Sequence, residues 1–230
     1  MYKELKCEDG YFVKANLVDV SHKKIYTGFF EKNILCKECD NIILGENENY
    51  ACKILYGGKV VGVSMVNEIN PNNVEWTKAV GVDYKKFKLF LLSLLWRFSI
   101  SSDNFYTSVS LGKHEEIIRK MILDGNPGEK LDYPCMLTSY RKHKDLPIHI
   151  MSQPTKHRNN SGICYSIMMN GLLYTFFISK SLIPEYVLEF AIGNNNEIKI
   201  AHLSKESAEG LIKRYVGHEE LPDFSGNNVN

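Results

Sequence analysis

The sequence predicts an α+β protein in which an antiparallel β-meander packs on two central helices, with a small zinc-knuckle-like βα module in front of them. Three observations predict this fold class. One long segment is apolar on every face, a second has the periodicity of an amphipathic helix, and the C-terminal half holds short apolar runs separated by turn residues. We assign the module to residues 1–66, the α+β core to residues 67–222 and a disordered tail to residues 223–230.

The composition limits the possible classes of protein. A chain of 230 residues with 44% hydrophobic content can bury a substantial core. Its 28 basic and 27 acidic residues give a net charge of +1, which excludes a global positive field that would recruit nucleic acid. The charged N-terminus lacks the apolar stretch of a signal peptide, so we expect a cytoplasmic location. The six cysteines are then expected to be thiols or metal ligands, and not disulfides.

The N-terminal module is predicted to combine short strands with one helix. Loosely alternating apolar residues indicate strands at 11–20 and 24–30. A helix is predicted over residues 42–55, interrupted at Gly45 and ended by the glycine pair at 57–58. Strands are predicted at 59–66 and 74–80.

The central helix is predicted over Tyr84–Ser102. Between Leu89 and Trp96 only Ser93 is polar, so this helix must be covered on all sides. The apolar run is shorter than the roughly 20 residues that span a bilayer, so its cover is a protein core and not lipid. Asp83 is the predicted N-cap. We expect Leu94 and Leu95 to be almost fully buried.

The rest of the chain is predicted to hold a second central helix, a series of strands and a final helix. The second helix covers residues 113–123, and Asn170-Gly171 marks a two-residue type I′ hairpin turn. The last helix covers residues 205–215. The predicted strands cover residues 133–140, 146–151, 163–169, 172–179, 186–192 and 197–203.

The sharpest local motif is Cys36-Lys37-Glu38-Cys39. A C-x-x-C turn can place two thiolates on one tetrahedral Zn²⁺, and a following helix is typical of the second knuckle of a treble-clef site. A complete site needs two more ligands, for which Cys7 and His22 are the candidates, whereas Cys52 is predicted to be a core residue. The alternative interpretation is that the two cysteines of the motif are buried thiols that lie three residues apart by chance.

The residues of several segments resemble a widespread group of bacterial proteins related to HNH endonucleases. The resemblance begins with Phe30–Asn41, which contains the cysteine motif, and continues through Glu48–Ala51, Tyr84–Phe90 and Ser93–Arg97. It extends to Leu111–Arg119 and the apolar strands near residues 174–179. It therefore covers most of the chain from residue 30 onward, by residue pattern and not by a catalytic signature.

The resemblance implies a structural zinc ion and, in an active member, a divalent cation for phosphodiester cleavage. By this resemblance, fuller members of the group are expected to begin with a first C-x-x-C motif. A Ser-His-Ile-Ile-Pro-like segment then supplies the HNH histidine. In this chain Cys7 stands alone and Ser21-His22 is a faint counterpart of that segment. An HNH site uses one histidine to activate water and further groups to hold the cation, and here His22, Asp40 and Asn41 are the candidates.

Basic residues indicate where a nucleic acid could bind. Lys85, Lys86 and Lys88 lie at the start of the central helix, where cations oppose the helix dipole and a phosphate or acidic partner would stabilise them. Solvation of their long side chains is the simpler alternative explanation. Two basic loops, 141–144 and 156–158, could also contact phosphates, although such segments are more often solvated turns.

The sequence thus supports one function above two alternatives. We expect a zinc-knuckle protein that binds nucleic acid or a protein partner, with nuclease chemistry lost or incomplete. The alternatives are an active metal-dependent HNH-type endonuclease with His22 as general base, and a structural subunit of a larger complex.

Overall fold

The computed structural model describes residues 10–17, 21–26, 39–159, 162–178 and 183–217. A large, mostly antiparallel sheet dominates this part of the chain, so the predicted α+β class is confirmed. Its ten strands are β1 Phe12–Asn16, β2 Ser21–Ile25, β3 Ser64–Ile69, β4 Glu75–Val80, β5 Cys135–Ser139, β6 Ile150–Ser152, β7 Thr155–Asn159, β8 Gly162–Met169, β9 Leu172–Phe177 and β10 Glu197–His202.

The strand order is β2-β1-β6-β8-β9-β5-β10-β4-β3, with β7 paired to β8 outside this path. Consecutive strands form the hairpins β1–β2, β3–β4, β7–β8 and β8–β9. Two pairs, β1 with β6 and β5 with β10, are parallel and need crossover connections. The sheet is therefore more complex than the predicted meander, and it includes strands from both sides of the boundary assigned at residue 66.

Five α-helices accompany the sheet in the described residues. They are α1 Gly45–Leu55, α2 Tyr84–Ile100, α3 Lys113–Leu123, α4 Glu185–Phe190 and α5 Lys205–Val216. A π-helical turn over Cys39–Leu44 leads directly into α1, so helical structure continues through Gly45, where an interruption was predicted.

Helices cover both faces of the sheet. Ile167 and Met169 of β8 belong to the core cluster that contains α1, α2 and α3, whereas Met168 between them belongs to the cluster that contains α5. This split follows from the alternation of side chains along a strand. The α5 cluster also holds Val13 of β1 and Ile212 of α5, so the first and last described elements share one core.

Helix α2 is the centre of the larger core. Leu94 is 1% exposed and Leu95 0%, which confirms their predicted burial. The Asp83 side chain accepts a hydrogen bond from the Lys86 backbone N–H at 3.0 Å and caps the helix as predicted. Within the described residues, no helix combines the length and the hydropathy that a membrane span requires.

The tightest hairpin turn also agrees with its prediction. Asn170 and Gly171 have φ values of 48° and 72°, as a type I′ turn requires at both central positions. A Cβ atom at Gly171 would lie 2.6 Å from the Cγ atom of Arg141, so glycine also allows the close approach of that side chain.

Four predictions about strands differ from the structure. The strand predicted over residues 59–66 is β3, which begins only at Ser64 and continues to Ile69. Residues 186–192 were predicted as a strand, but α4 occupies Glu185–Phe190 behind its N-cap Pro184. The buried side chains of α4, Val187 and Phe190, have the three-residue spacing of a helix face. Strand β6 begins only at Ile150, and β7 lies where a basic loop was predicted. The predicted tail, residues 223–230, lies outside the described residues.

Candidate functional site

The structure leaves most of the predicted zinc motif outside the described residues. Cys7 and Cys36 both lie there, and of Cys39 the structure describes the backbone but not the side chain. Cys39 is the first residue of the π-helical turn that runs into α1. Cys52 is buried in α1, as the prediction of a core residue requires. Among the described residues, no group of three or more His, Cys, Asp or Glu side chains is arranged to hold a metal ion.

His22 lies on β2 at the edge of the sheet, opposite Ala15 of β1. Its Nε2 atom lies 3.1 Å from the backbone carbonyl oxygen of Val216, the last residue of α5. Since a carbonyl oxygen only accepts, Nε2 carries the proton of this hydrogen bond. The contact ties the N-terminal hairpin to the C-terminal end of α5, where a helix has unsatisfied carbonyl groups.

The three lysines at the start of α2 divide into two kinds. Lys85 and Lys86 are exposed, and the Lys86 ammonium lies 5.7 Å from the centre of the Tyr50 ring. Lys88 is 0% exposed. A side chain with no exposed surface does not meet a polyanion at the surface, so the inclusion of Lys88 in a nucleic-acid-binding group was wrong.

Lys88 has a partner in the loop before β5. Its Nζ atom donates a hydrogen bond of 2.6 Å to the Tyr133 carbonyl oxygen, which also accepts from the Cys135 thiol at 3.3 Å. Burial lowers the pKa of Lys88 and raises that of Cys135, because each charged form loses hydration there. The ammonium therefore fixes the backbone at Tyr133, which has a φ of 52° that residues other than glycine adopt infrequently.

Tyr133 in turn contacts His114 of α3. The Tyr133 hydroxyl lies 2.9 Å from Nδ1 of His114, and the two rings meet edge to face at 82°. Burial, with a smaller effect of Lys113, lowers the pKa of His114, and burial with the nearby Asp132 raises the pKa of Tyr133. Both directions favour an uncharged pair, so the phenol is not an activated nucleophile.

This pair lies in the wall of a pocket of about 830 Å³. The volume falls within the range of roughly 300–1,000 Å³ that small-molecule sites occupy. One wall is the face of α3 that carries His114, Ile117 and Met121. The opposite wall is the β7–β8 hairpin, and the pocket lining there includes Arg158 and Tyr165.

The hairpin wall places cations beside apolar surface. Arg158 pairs with Ile163 and Lys156 with Tyr165 across β7 and β8, and directly opposed side chains point to the same face of a sheet. The Lys156 ammonium lies 5.8 Å from the centre of the Tyr165 ring. The basic segment 156–158 thus belongs to a strand that borders the pocket, and not to a loop.

The acidic groups near the pocket have local partners. The Asp132 carboxylate, which lines the pocket, accepts a hydrogen bond from the Glu129 backbone N–H at 3.0 Å. On α3, Glu115 accepts from the Ser99 hydroxyl at 2.5 Å, and Glu116 forms an ion pair with Arg119 at 2.7 Å. Among the described residues, Arg158 forms no such ion pair, so its charge remains available to a ligand.

Sequence reasoning identified the basic segment but not the pocket. His114 was not among the predicted site residues, and Tyr133 was predicted as the start of a strand. One signal in the sequence was available, because His114, Ile117 and Met121 recur at helical spacing on α3. The comparisons do not extend this assignment, since no family model, curated protein or solved structure matches the chain.

Proposed function

We propose that this chain is a zinc-knuckle binding protein related to HNH nucleases, which contacts nucleic acid or a protein partner and does not cleave phosphodiesters. In this proposal Cys36 and Cys39 hold a structural zinc ion with Cys7 as a further ligand. The start of helical structure at Cys39 supports it, because the second knuckle of a treble-clef site leads into a helix N-terminus.

The observation that carries the loss of cleavage is the hydrogen bond of His22. A general base needs an unprotonated nitrogen within reach of the attacking water. The Nε2 atom of His22 donates to the Val216 carbonyl oxygen at 3.1 Å, so Nε2 is not this base and only Nδ1 could accept the proton of water. The contact suits a structural clasp between β2 and α5. Lys85 and Lys86, both exposed in the first turn of α2, are the residues of this proposal that contact phosphates.

The test measures zinc content, cleavage and binding on the full chain. We expect about one zinc ion per chain by elemental analysis, lost in Cys36→Ser and retained in the matched variant Cys164→Ser, since Cys164 is a free buried thiol. We expect no cutting of single- or double-stranded DNA or RNA with Mg²⁺, Mn²⁺ or Ni²⁺. We expect the wild type to bind nucleic acid in a gel-shift assay. Its affinity should fall more in the double variant Lys85→Gln/Lys86→Gln than in the control Lys53→Gln/Lys59→Gln, whose lysines are also exposed.

Different outcomes contradict different parts of the proposal. A chain without zinc after growth in zinc-replete medium contradicts the knuckle. Cleavage by the wild type that disappears in His22→Ala establishes the nuclease alternative, because a general base contributes about 10²–10⁴ in rate. Zinc without affinity for any of the nucleic acids restricts the partner to a protein.

A further inference from the structure

We propose that the pocket between α3 and the β7–β8 hairpin binds a small organic anion, whose apolar body packs inside while its carboxylate or phosphate pairs with Arg158. This inference is independent of the zinc knuckle and of nucleic-acid binding. It rests on described residues that the proposed function does not use.

The apolar part of the site comes from both walls. Ile117 and Met121 of α3 face Ile163 of β8, and Ile178 follows β9 at the same pocket. Ile117 is 46% exposed although it lies in the pocket wall. Apolar surface that remains exposed beside a concave site loses contact with water when a ligand covers it, which favours binding of a hydrophobic body.

The polar part of the site selects the charge of the ligand. Arg158 is exposed at the pocket and forms no ion pair within the described chain, and its guanidinium can donate two parallel hydrogen bonds to a carboxylate or phosphate. Lys156, on the same face of β7, adds a second positive charge. Asp132 keeps its negative charge while it accepts from the Glu129 backbone N–H, and the two positive charges of Arg158 and Lys156 together exceed it.

The α3 wall of the pocket is held in place from the core. Lys88 binds the Tyr133 carbonyl, and the Tyr133 phenol contacts His114, so this wall is connected to α2 by two successive hydrogen bonds of 2.6 Å and 2.9 Å. A wall fixed before the ligand arrives loses less conformational entropy on binding. The Tyr165 hydroxyl, which donates to the Ser110 carbonyl oxygen at 2.7 Å, ties the hairpin to the segment before α3 in the same way.

The experiment uses three probes of one shape: 2-naphthoate, 2-naphthyl phosphate and the uncharged 2-naphthamide. Binding to the full chain is measured by ligand-observed NMR and by titration of naphthalene fluorescence. We expect at least one anion to bind about 10-fold or more tightly than the amide, since hydrogen bonds to charged groups are stronger than neutral ones. The preferred anion identifies the ligand as a carboxylate or a phosphate.

Two variants place the binding in this pocket. Arg158→Gln should lower the affinity for the anion by about 10-fold and leave the affinity for the amide nearly unchanged. The matched variant Arg214→Gln, which removes an exposed arginine of α5, should change neither. Ile117→Ser should weaken all three probes, whereas Ile69→Ser, at an exposed isoleucine of β3, should not.

Three outcomes overturn the proposal. The first is equal affinity for the anions and the amide, which removes the role of Arg158. The second is equal loss of anion binding in Arg158→Gln and Arg214→Gln, which indicates attraction by the whole surface. The third is the absence of binding by every probe at millimolar concentration. Circular dichroism of each variant verifies that the substitution leaves the fold intact.

Discussion

At the scale of single residues, partly or fully buried cationic side chains join segments that are distant in the sequence. Arg141 illustrates this, because its Nε donates to the Asn170 carbonyl oxygen at 2.6 Å and its Nη1 to the Leu55 carbonyl oxygen at 2.5 Å. One side chain thereby joins the β8–β9 turn to the C-terminus of α1. Its guanidinium also lies 4.6 Å from the centre of the Tyr56 ring. Lys88 has a similar role between α2 and the loop at Tyr133.

The buried Lys88 should make the stability of the protein depend on pH. Burial lowers its pKa in the folded protein, whereas the unfolded chain releases the proton near 10.5. Between these two values the unfolded state binds more protons, so the free energy of unfolding due to Lys88 rises with pH. The wild type should therefore gain stability relative to Lys88→Met as the pH increases through this window, and the difference should be level below it.

The measurement is urea unfolding of both proteins from pH 7 to pH 10.5. Taking the difference between them cancels the effect of the buried tyrosines, such as Tyr140 and Tyr174, whose pKa values are raised by burial. Lys85→Met, in the same turn of α2 but exposed, controls for general effects of replacing lysine by methionine. A difference between wild type and Lys88→Met that stays flat over the whole range contradicts the lowered pKa of Lys88 in the folded protein.

At the scale of elements, long periodic segments could be predicted and contacts between distant segments could not. Helix α3 has the predicted bounds, and α2 ends two residues before its predicted end, because helical periodicity and a capping residue are local signals. The short run at 186–192 is apolar enough for a strand or a helix. The structure has a helix there, with Pro184 as its N-cap and with Val187 and Phe190 buried at helical spacing. The burial of Lys88 depends on a carbonyl 45 positions away, which no local pattern contains.

The second prediction concerns the centre of α2. Leu95→Ala should lower the free energy of unfolding by about 2–5 kcal/mol, because the side chain is 0% exposed and its removal leaves a cavity in a packed core. Leu123→Ala, at a position 40% exposed in the last turn of α3, makes the same substitution outside the core and should cost about 0.5 kcal/mol or less. Equilibrium denaturation measures both. A cost below about 1 kcal/mol for Leu95→Ala would show that α2 is peripheral.

At the scale of the whole molecule, the sheet and the core cluster of α5 join the ends of the described chain. Strand β1 pairs in parallel with β6, and its residues share a core with α5. The sequence pattern suggested a separate module because the cysteine motif and its helix look self-contained. Strand pairing between Val13 and Ile150 spans more than a hundred residues, and pairings of that separation leave no trace in local periodicity. The candidate pocket escaped prediction for the same reason, since α3 and β7–β8 meet only in the folded chain.

The third prediction concerns the pairing of β1 with β6, which native-state hydrogen exchange can test. The Val13 N–H donates to the His149 carbonyl oxygen at 2.8 Å, and the Gln153 N–H donates to that of Ala15 at 2.9 Å, so these amides report on the joint between β1 and β6. Their free energy of opening should agree within about 1 kcal/mol with that of Tyr174 in β9, because all three should exchange only through global unfolding. A markedly lower value at Val13 and Gln153, with Tyr174 unchanged, would mean that the N-terminal hairpin opens by itself. That result would restore the separate module at residues 1–66, and the His22 contact with α5 would then be a docking contact between two units.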